Sequence, residues 1–583
     1  MGVREQPMCA HHCRIRVGKE VPYMEKTIGI GVQDFEKIRT KDYFYIDKTD
    51  FIREWWESGA DVTLITRPRR FGKTLNMSMM QQFWSNQYAG RGDLFEGLSI
   101  WNEEAYRSLQ GTYPVLFLSF AGIRGRNYQI ARGAIIQTIL DLYAKYFYLT
   151  ESDALNPQEK EFFEYIRPDM TDEVAAASLQ RLALCLSRYY GRKVIILLDE
   201  YDTPLQEAYV YGYWDEMTAF TRSLFNMTFK TNPYLERGLL TGITRISRES
   251  IFSDLNNLDV ITTTSQKYET AFGFTEEEVM SALCAFGMAG SIEKVREWYD
   301  GFHFGRRTDI YNPWSITRFL ENKKTGTYWA NTSSNNLVSK LIRESGPEVK
   351  TAAEDLLSDK SITTVLDEEI VFDQLDGNPE AIWSLLLSSG YLKAVDVSEE
   401  ENEEMLYHLE LTNLEVKKEF QRMVRRWFKN PDTHYNDFIR ALLLGDTGYM
   451  NLYMNQVALQ TFSFFDSGNR PSEETEPERF YHGFVLGLIV DLKGRYLITS
   501  NRESGFGRYD VVLEPCNELD PAVILEFKVR NPGREQSLED TVEEAHRQIR
   551  DKRYAESLIS RGIPADRIHS YGLAFEGKTV LIG

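Results

Sequence analysis

The sequence predicts a multidomain α/β protein, and three features carry that prediction. The chain has 583 residues, more than one hydrophobic core usually organises, so two to four domains are expected. Several short runs are continuously apolar, as in VIILL (194–198), which is the composition of parallel strands covered on both faces. Segments with helical apolar spacing separate these runs, and this alternation is typical of a doubly wound α/β sheet.

Composition and charge exclude several classes of protein. Hydrophobic residues make up 42% of the chain, yet no apolar run approaches the ~18 residues of a membrane span. The N-terminus lacks the apolar stretch of a secretory signal, and five scattered cysteines argue against a disulfide framework. We therefore expect a cytoplasmic protein with no membrane partner. The net charge of -20 disfavours a surface coated for nucleic-acid binding but allows local basic patches.

The N-terminal residues 1–28 are interpreted as a disordered extension. Cys9, His11, His12 and Cys13 would suit zinc, but the second ligand pair of a structural zinc site does not follow them.

The segment TRPRRFGKT (66–74) follows a predicted strand at 62–66 and precedes a predicted helix. A phosphate-binding loop needs converging backbone N–H groups, a lysine for the phosphates and a hydroxyl for magnesium, which Gly72, Lys73 and Thr74 supply. The first glycine of the usual pattern would stand where the chain has Arg67. The strand, loop and helix context nevertheless predicts a nucleotide site.

Further strands are predicted at 113–120, 193–202 and 237–244, and the second of them ends in acids. Asp199 is placed to hold magnesium through water, and Glu200 to polarise the attacking water.

The arginines near the loop have two interpretations. They could pair with surface carboxylates, but Arg67, Arg69 and Arg70 would repel one another without an anion, so at least one is expected to contact phosphate. Thr241, Thr244 and Arg245 follow another strand and are candidates for sensing the γ-phosphate.

The middle of the chain is predicted to be mostly helical from 266 to 340. Residues 381–395 predict a helix followed by a hairpin that contains MLYHLELTN, so a winged-helix-like module or a helical linker is expected. The run KKEFQRMVRRWFK (417–429) carries six basic residues on one helix. A solvated helix face is the favoured interpretation, and contact with a nucleic-acid backbone is the alternative.

A second constellation of charged residues follows a polar linker at 467–478. Asp510 lies early in one predicted strand, and Glu526 and Lys528 lie two residues apart in another, so their side chains point to one face. Val523, Leu525, Phe527 and Val529 are expected to form the opposite, apolar face. Two carboxylates can hold Mg²⁺, and the lysine can orient water for attack on a phosphodiester. One long helix is predicted at 541–562.

Several motifs together resemble a known family: DFEKIRTKDYFYIDKTDFI, TRPRRFGKT, VIILLDEYDTPL, WYDGFHFG and YNPWSITRF. They are similar to the bacterial AAA-ATPase-like family with a C-terminal PD-(D/E)xK nuclease domain, from about residue 29 to the end. RPRRFGK[ST] is that family's usual loop, so the resemblance implies that ATP is still held. Asp47, Lys48 and Thr49 match the family's DKT motif, which we place near the base or ribose as a hypothesis.

The resemblance also bears on the second constellation. Asp510, Glu526 and Lys528 resemble the DxnExK pattern of the PD-(D/E)xK core. Tyr509 stands before Asp510, where that pattern has proline. Glu478 and Gln548 occupy places where that fold adds a metal ligand and an orienting amide. His482, in FYHG, is interpreted as structural.

The predicted fold is α/β multidomain: a P-loop parallel-sheet ATPase domain, a helical or winged-helix-like middle region and a C-terminal restriction-endonuclease-like α/β domain. The predicted segments are an extension at 1–28, an AAA-ATPase-like domain at 29–265, a helical lid region at 266–340, a helical or winged-helix-like linker region at 341–465 and a nuclease-like domain at 466–583.

The predicted site residues form three sets. The catalytic set is Glu200, Asp510, Glu526, Lys528 and Gln548. The cofactor-binding set is Arg69, Arg70, Phe71, Gly72, Lys73, Thr74, Leu75, Asp199 and Arg245. The metal-binding set is Thr74, Asp199, Glu478, Asp510 and Glu526. ATP and Mg²⁺ are the expected cofactors.

Nucleic acid is the expected partner, with DNA favoured over RNA. Homo-oligomerisation stays open, because an arginine that completes the ATPase site could come from the same chain or from a neighbour.

The sequence leaves two functional hypotheses open. The first is an ATPase coupled to or controlling a Mg²⁺-dependent nuclease, in defence or mobile-element biology. The second is a nucleotide-dependent switch that binds nucleic acid or a protein partner and has a non-cleaving nuclease fold; the incomplete loop and the acidic charge favour it. A structural protein with two vestigial sites is disfavoured, because unused sites have no reason to keep clustered charge.

Overall fold

The structure is a computed structural model, and it describes residues 26–230, 232–245, 251–252, 255–329, 347–357, 359–366, 378–399, 405–427, 435–461, 495–504, 507–517, 520–576 and 579–583, with positions 338, 341, 342, 375, 485, 486, 489 and 492. The predicted N-terminal extension up to residue 25, Glu478 and His482 lie outside the described residues. Among the helices described, none is long and apolar enough to cross a membrane.

The N-terminal domain is built on a five-stranded parallel sheet in the order β2-β3-β4-β1-β5. Its strands are β1 Val62–Thr66, β2 Val115–Ser119, β3 Val194–Asp199, β4 Leu235–Gly242 and β5 Leu258–Ile261. Every residue of β1 and β3 is buried, as expected for continuous apolar runs covered on both faces. The four strands predicted for this sheet are confirmed, and β5 was missed.

The helices of this domain are α1 Phe35–Thr40, α2 Asp50–Glu57, α3 Lys73–Trp84, α4 Glu104–Arg107, α5 Tyr128–Lys145, α6 Pro157–Tyr165, α7 Asp172–Tyr190, α8 Thr203–Tyr211 and α9 Trp214–Phe225. Of these, α3, α5 and α7 contact strands of the sheet.

The next segment combines helices with a small sheet that the sequence did not indicate. Its elements are β6 Phe274–Thr275, α10 Glu276–Ala285, α11 Ile292–Tyr299, β7 Phe302–Phe304, β8 Arg307–Tyr311 and α12 Pro313–Asn322. The strands pair antiparallel in the order β6-β8-β7. They are only two to five residues long, too short for an alternating pattern to stand out in the sequence.

The rest of the middle region contains the predicted helix and hairpin. Its elements are α13 Pro347–Leu357, β9 Ile362–Val365, α14 Pro379–Ser388, β10 Leu392–Glu399, β11 Met405–Leu411 and α15 Leu414–Trp427. The helix followed by a hairpin is confirmed, and β9 adds a third strand beside β11. Ile382, Leu409 and Phe420 belong to the same hydrophobic core as the parallel sheet, so this region packs directly on the N-terminal domain.

The C-terminal domain has a mixed five-stranded sheet in the order β12-β13-β14-β15-β16. Its elements are α16 Tyr435–Leu444, α17 Thr447–Thr461, β12 Tyr496–Ser504, β13 Gly507–Pro515, β14 Ala522–Val529, α18 Leu538–Asp551, α19 Tyr554–Ile559, β15 Ile568–Glu576 and β16 Thr579–Ile582. Helices α16 and α17 share a core with this sheet. The long helix predicted at 541–562 is wrong, because the left-handed backbone of Arg553 (φ 52°) separates α18 from α19.

The basic helix α15 uses its described basic side chains within the chain. Lys417 forms an ion pair with Asp359, Lys418 lies 5.3 Å from the ring centre of Trp298, and the Arg422 guanidinium donates to Thr327 Oγ1. These contacts differ from the favoured interpretation of a solvated face, because the three side chains have partners within the chain. The side chains of Arg425, Arg426 and Lys429 lie outside the described residues.

Glu415, in the first turn of α15, is buried, and its described hydrogen-bond partners are uncharged groups. Its carboxylate accepts hydrogen bonds from the Ser315 hydroxyl and the Trp329 backbone N–H, both at 2.7 Å. Burial, with a smaller repulsion from Glu419, raises the pKa of Glu415 to about 7.

This pKa gives a prediction for stability against pH. In the unfolded chain Glu415 ionises near its ordinary pKa of 4.5, whereas the folded protein keeps the proton until about pH 7. The folded state therefore binds more protons between these values, and the free energy of unfolding falls as pH rises, by on the order of 3 kcal/mol. Glu415→Gln should lack this fall.

Thermal unfolding of both proteins between pH 5 and pH 8 measures it. The exposed Glu380, changed to Gln, is the matched control, and parallel pH profiles for wild type and Glu415→Gln would contradict the prediction.

Candidate nucleotide and nuclease-like sites

The loop between β1 and α3 is shaped by two residues with left-handed backbones. Arg70 has φ 68° and Gly72 has φ 83°, and only the glycine adopts this conformation at no steric cost. The chain then enters α3 at Lys73, whose ammonium group donates to the carbonyl oxygens of Arg67 (2.8 Å) and Pro68 (2.9 Å). The lysine therefore lies buried at the centre of its own loop, and burial lowers its pKa.

Arg67, which replaces the usual glycine, points away from the site. Its side chain is fully buried, donates to the Thr262 carbonyl at 2.6 Å and lies 4.6 Å from the ring centre of Phe304. Burial lowers the pKa of this guanidinium to about 9. Arg67 is thus a core residue that anchors the loop to the segment after β5. Any phosphate contact by the loop arginines falls to Arg69 and Arg70.

Arg69 and Arg70 line a cavity of about 410 Å³ together with Phe71, Gly72, Lys73, Thr74 and Leu75. The Arg70 guanidinium stacks 4.0 Å from the ring centre of Trp314 in α12. Of the described residues that line the cavity, five are cationic and two are acidic: Lys48, Arg69, Arg70, Lys73 and Arg124 against Glu200 and Glu207. In a chain of net charge -20, this local excess of positive charge makes the cavity suited to a polyanion.

The acids at the end of β3 lie beside the loop. Asp199 is fully buried and accepts the hydroxyls of Thr74 (2.8 Å) and Thr241 (2.6 Å), one on each carboxylate oxygen. Glu200 follows with a left-handed backbone (φ 53°) and lines the cavity. Burial raises the pKa of both carboxyls, and Lys73 opposes that rise. A hydroxyl and a carboxylate in contact beside a phosphate loop are a donor set that suits Mg²⁺.

Asp202 is a residue that sequence reasoning missed. One of its oxygens accepts the backbone N–H groups of Ile243 (2.9 Å) and Thr244 (3.0 Å) and the Thr244 hydroxyl (3.0 Å). It therefore fixes the turn after β4, and its signal was the second aspartate of LLDEYD.

The candidates for γ-phosphate sensing behave differently from the expectation. Thr241 and Thr244 are buried and bind the carboxylates of Asp199 and Asp202, so they position acids rather than face the cavity. Arg245 is half-buried and is not among the described residues that line the cavity.

The DKT motif contacts the N-terminal domain and the segment that follows it. Asp47 accepts the backbone N–H of Thr49 (2.9 Å) and of Ser99 (2.6 Å). Lys48 lines the cavity and forms an ion pair with Glu278 in the first turn of α10 at 2.6 Å. The motif thus closes one wall of the cavity, and its placement next to a base or ribose stays a prediction.

In the C-terminal domain, Glu526 and Lys528 lie on the face of β14 that also carries Ile524, which belongs to a small second core with Ile549 of α18. Val523, Leu525 and Phe527 belong to the core formed with α16 and α17, and Val529 packs against it, which confirms the predicted apolar face. Glu526 is buried and accepts a hydrogen bond from the Gln548 amide of α18. The predicted orienting amide is therefore in contact with the predicted metal ligand.

Gly572 allows this contact. It pairs with Glu526 on β15, and a Cβ there would come within 2.9 Å of the Val542 carbonyl and 3.0 Å of Ala545. The missing side chain lets α18 lie close against the sheet.

Asp510 reaches the same end of the sheet through the strand register. Strands β13 and β14 are antiparallel and Val511 pairs with Leu525. Position 510, one residue before Val511, therefore lies next to position 526, one residue after Leu525. The two positions adjoin on one face. The side chain of Asp510 and all of Glu478 lie outside the described residues, and within the described part no group of three or more metal-binding side chains forms.

Comparisons with known proteins agree with this architecture. Residues 29–252 match the family described as predicted AAA-ATPase, and residues 476–583 match the PD-(D/E)XK nuclease superfamily. The two matched segments have the order that the motifs indicate, and the resemblance of those motifs is confirmed.

A curated relative has the same extent. The chain is 27% identical over 571 residues to the "Uncharacterized protein in vnfD 5'region" of Azotobacter chroococcum mcd 1, and the match covers 94% of this chain and 96% of that protein. The printed name of this relative states no activity.

Proposed function

We propose that the protein hydrolyses ATP and that its nucleotide state controls a Mg²⁺-dependent nuclease in the C-terminal domain. The observation that carries the ATPase part is the contact of Thr74 with Asp199 at 2.8 Å, beside Lys73 and Glu200 in a cationic cavity. All the groups that phosphoryl transfer needs are contributed by one loop and the end of one strand.

The residues have distinct parts in this mechanism. Lys73 would exchange the carbonyls of Arg67 and Pro68 for phosphate oxygens when ATP enters. Thr74 and Asp199 would hold Mg²⁺, which neutralises the charge on the phosphates when bound. Glu200 would accept a proton from the attacking water, a role that its raised pKa supports.

In the nuclease-like domain, Glu526 and Asp510 would hold Mg²⁺ and Lys528 would orient the water that attacks a phosphodiester. Gln548 would hold the Glu526 carboxylate in place. Nucleic acid is the proposed substrate, with DNA favoured over RNA, in defence against foreign DNA or in mobile-element biology. The proposed location is the cytoplasm, and we leave self-association open.

The second candidate is a nucleotide-dependent switch with a non-cleaving nuclease fold. The missing first glycine of the loop and the net charge of -20 favour it. In that case nucleotide binding persists without cleavage.

Steady-state ATP turnover of wild type and Glu200→Gln tests the proposal. Loss of the base should lower kcat by about a hundredfold and leave the Kd for Mg²⁺-ATP within about threefold. Glu216→Gln, which changes an exposed acid of α9 outside the described lining of the cavity, is the matched control and should keep wild-type turnover. Equal turnover in Glu200→Gln and wild type would remove Glu200 from the reaction, and tight binding without turnover in wild type would favour the switch.

A further inference from the structure

The unusual residues of the loop are held by the middle region of the chain. The carbonyl oxygen of Arg69 accepts hydrogen bonds from the Asn312 amide (3.3 Å) and the Trp329 indole N–H (3.1 Å). Pro68 lies against Gly390, where a Cβ would come within 3.0 Å of the proline ring. The usual phosphate-binding loop has a glycine at its start. In this chain the start of the loop is instead held through the Pro68 ring and the Arg69 carbonyl.

Asn312 connects the loop to α12. Its side-chain oxygen accepts the backbone N–H groups of Trp314 (3.0 Å) and Ser315 (3.2 Å), which makes it the N-cap of that helix. The same fully buried side chain turns its amide to Arg69. One side chain therefore links the start of α12 to the loop backbone.

Glu415 connects both of these contacts to α15. One carboxylate oxygen accepts the backbone N–H of Trp329 and the other accepts the hydroxyl of Ser315, each at 2.7 Å. The residue is 1% exposed, so these bonds are made away from water, where they are strong. A single side chain thus holds the two segments that hold Arg69.

We infer that Glu415 is a positioning residue for the nucleotide loop and that it couples the state of the loop to α15. This inference rests on the proposed binding of ATP at Lys73. To reach phosphate, Lys73 must release the carbonyls of Arg67 and Pro68, the two positions directly before Arg69. A change of partners at this place is transmitted to Asn312 and Trp329, and from them to Glu415.

The next described helix after α15 is α16, which shares the hydrophobic core of the nuclease-like sheet. There the Tyr571 hydroxyl donates to the Leu442 carbonyl at 3.0 Å. Coupling between two sites is reciprocal, so α15 should respond to nucleotide as the loop responds to α15.

Nucleotide affinity of the full chain, measured by titration with a fluorescent ATP analogue and Mg²⁺, tests the first half. Trp329→Phe removes the indole N–H and keeps an aromatic ring, so Kd should rise about fivefold. Glu415→Ala should raise it about tenfold. Glu415→Gln should rescue most of this loss, because an amide still accepts from Trp329 and can donate to Ser315.

Hydrogen exchange tests the second half. Nucleotide should change the protection of backbone amides 414–423 in wild type, and this change should be absent in Trp329→Phe. The control is Trp383→Phe, a buried tryptophan of α14, which should match wild type in both measurements.

The outcomes separate this inference from the proposed function. Wild-type Kd in Trp329→Phe and Glu415→Ala, or an unchanged exchange response in Trp329→Phe, overturns the inference and leaves ATP binding intact. If the wild-type chain itself does not bind the analogue, or binds it no better than Lys73→Ala, the proposed function and the inference fall together.

Discussion

Lys73→Ala is expected to weaken Mg²⁺-ATP binding by on the order of a thousandfold. The lysine is positioned to donate to two phosphate groups, and two charge-assisted hydrogen bonds of about 2 kcal/mol each give that factor. In wild type the ammonium is already centred in the loop by the carbonyls of Arg67 and Pro68, at 2.8 and 2.9 Å. Isothermal titration of wild type and variant measures the change.

The controls for this prediction address folding and charge. Lys193→Ala removes an exposed lysine before β3 and should bind as wild type does. Near-wild-type thermal unfolding of Lys73→Ala without nucleotide would show that the loss is one of binding. A Kd within about tenfold of wild type would show that Arg69, Arg70 and Arg124 bind the phosphates without the lysine.

Local patterns in the sequence were sufficient to locate β1, β3 and the loop between β1 and α3. A continuously apolar run marks a strand that is buried on both faces, so β1 and β3 could be located closely. The functional groups at the ends of these strands are then expected to lie close together, because the carboxyl ends of parallel strands share one edge of the sheet. The contact of Thr74 with Asp199 across that edge is the geometry this reasoning expects.

Contacts between distant segments could not be predicted. Arg67 was one of three arginines of which at least one was expected to contact phosphate, and its buried position was not foreseen because its partner, the Thr262 carbonyl, lies almost two hundred residues further along the chain. Asn312 and Trp329 hold Arg69 from still greater separations, and nothing in RPRRFGKT indicates that a proline needs a glycine at position 390. Burial and pairing over such distances are decided by tertiary packing.

The nuclease-like site lies between these cases. The two-residue spacing of Glu526 and Lys528 places both on one face of any strand, and the structure has them there. The approach of Gln548 depends in addition on Gly572, which allows α18 to pack closely. That glycine is unremarkable in the sequence, because its importance comes from a helix and a strand that meet only in the fold.

Glu526→Gln is expected to lower Mg²⁺-dependent cleavage of nucleic acid by more than about a thousandfold. The change removes the charge of a proposed metal ligand and keeps a group that can accept the Gln548 hydrogen bond, so the domain should stay folded. Labelled single- and double-stranded DNA and RNA, each with and without ATP, are the substrates. Lys528→Ala should lose cleavage as well.

The matched control is Glu543→Gln, an exposed carboxylate on α18 two turns before that helix ends. It should cleave as wild type does, and all three variants should retain ATP turnover. Because the apolar residues of β14 belong to cores separate from that of the N-terminal domain, loss of cleavage with normal ATP turnover would locate phosphodiester chemistry on β14. Cleavage that persists in Glu526→Gln would remove β14 from the reaction, and ATP binding with no cleavage of any substrate by wild type would leave the nuclease fold as a binding surface under nucleotide control.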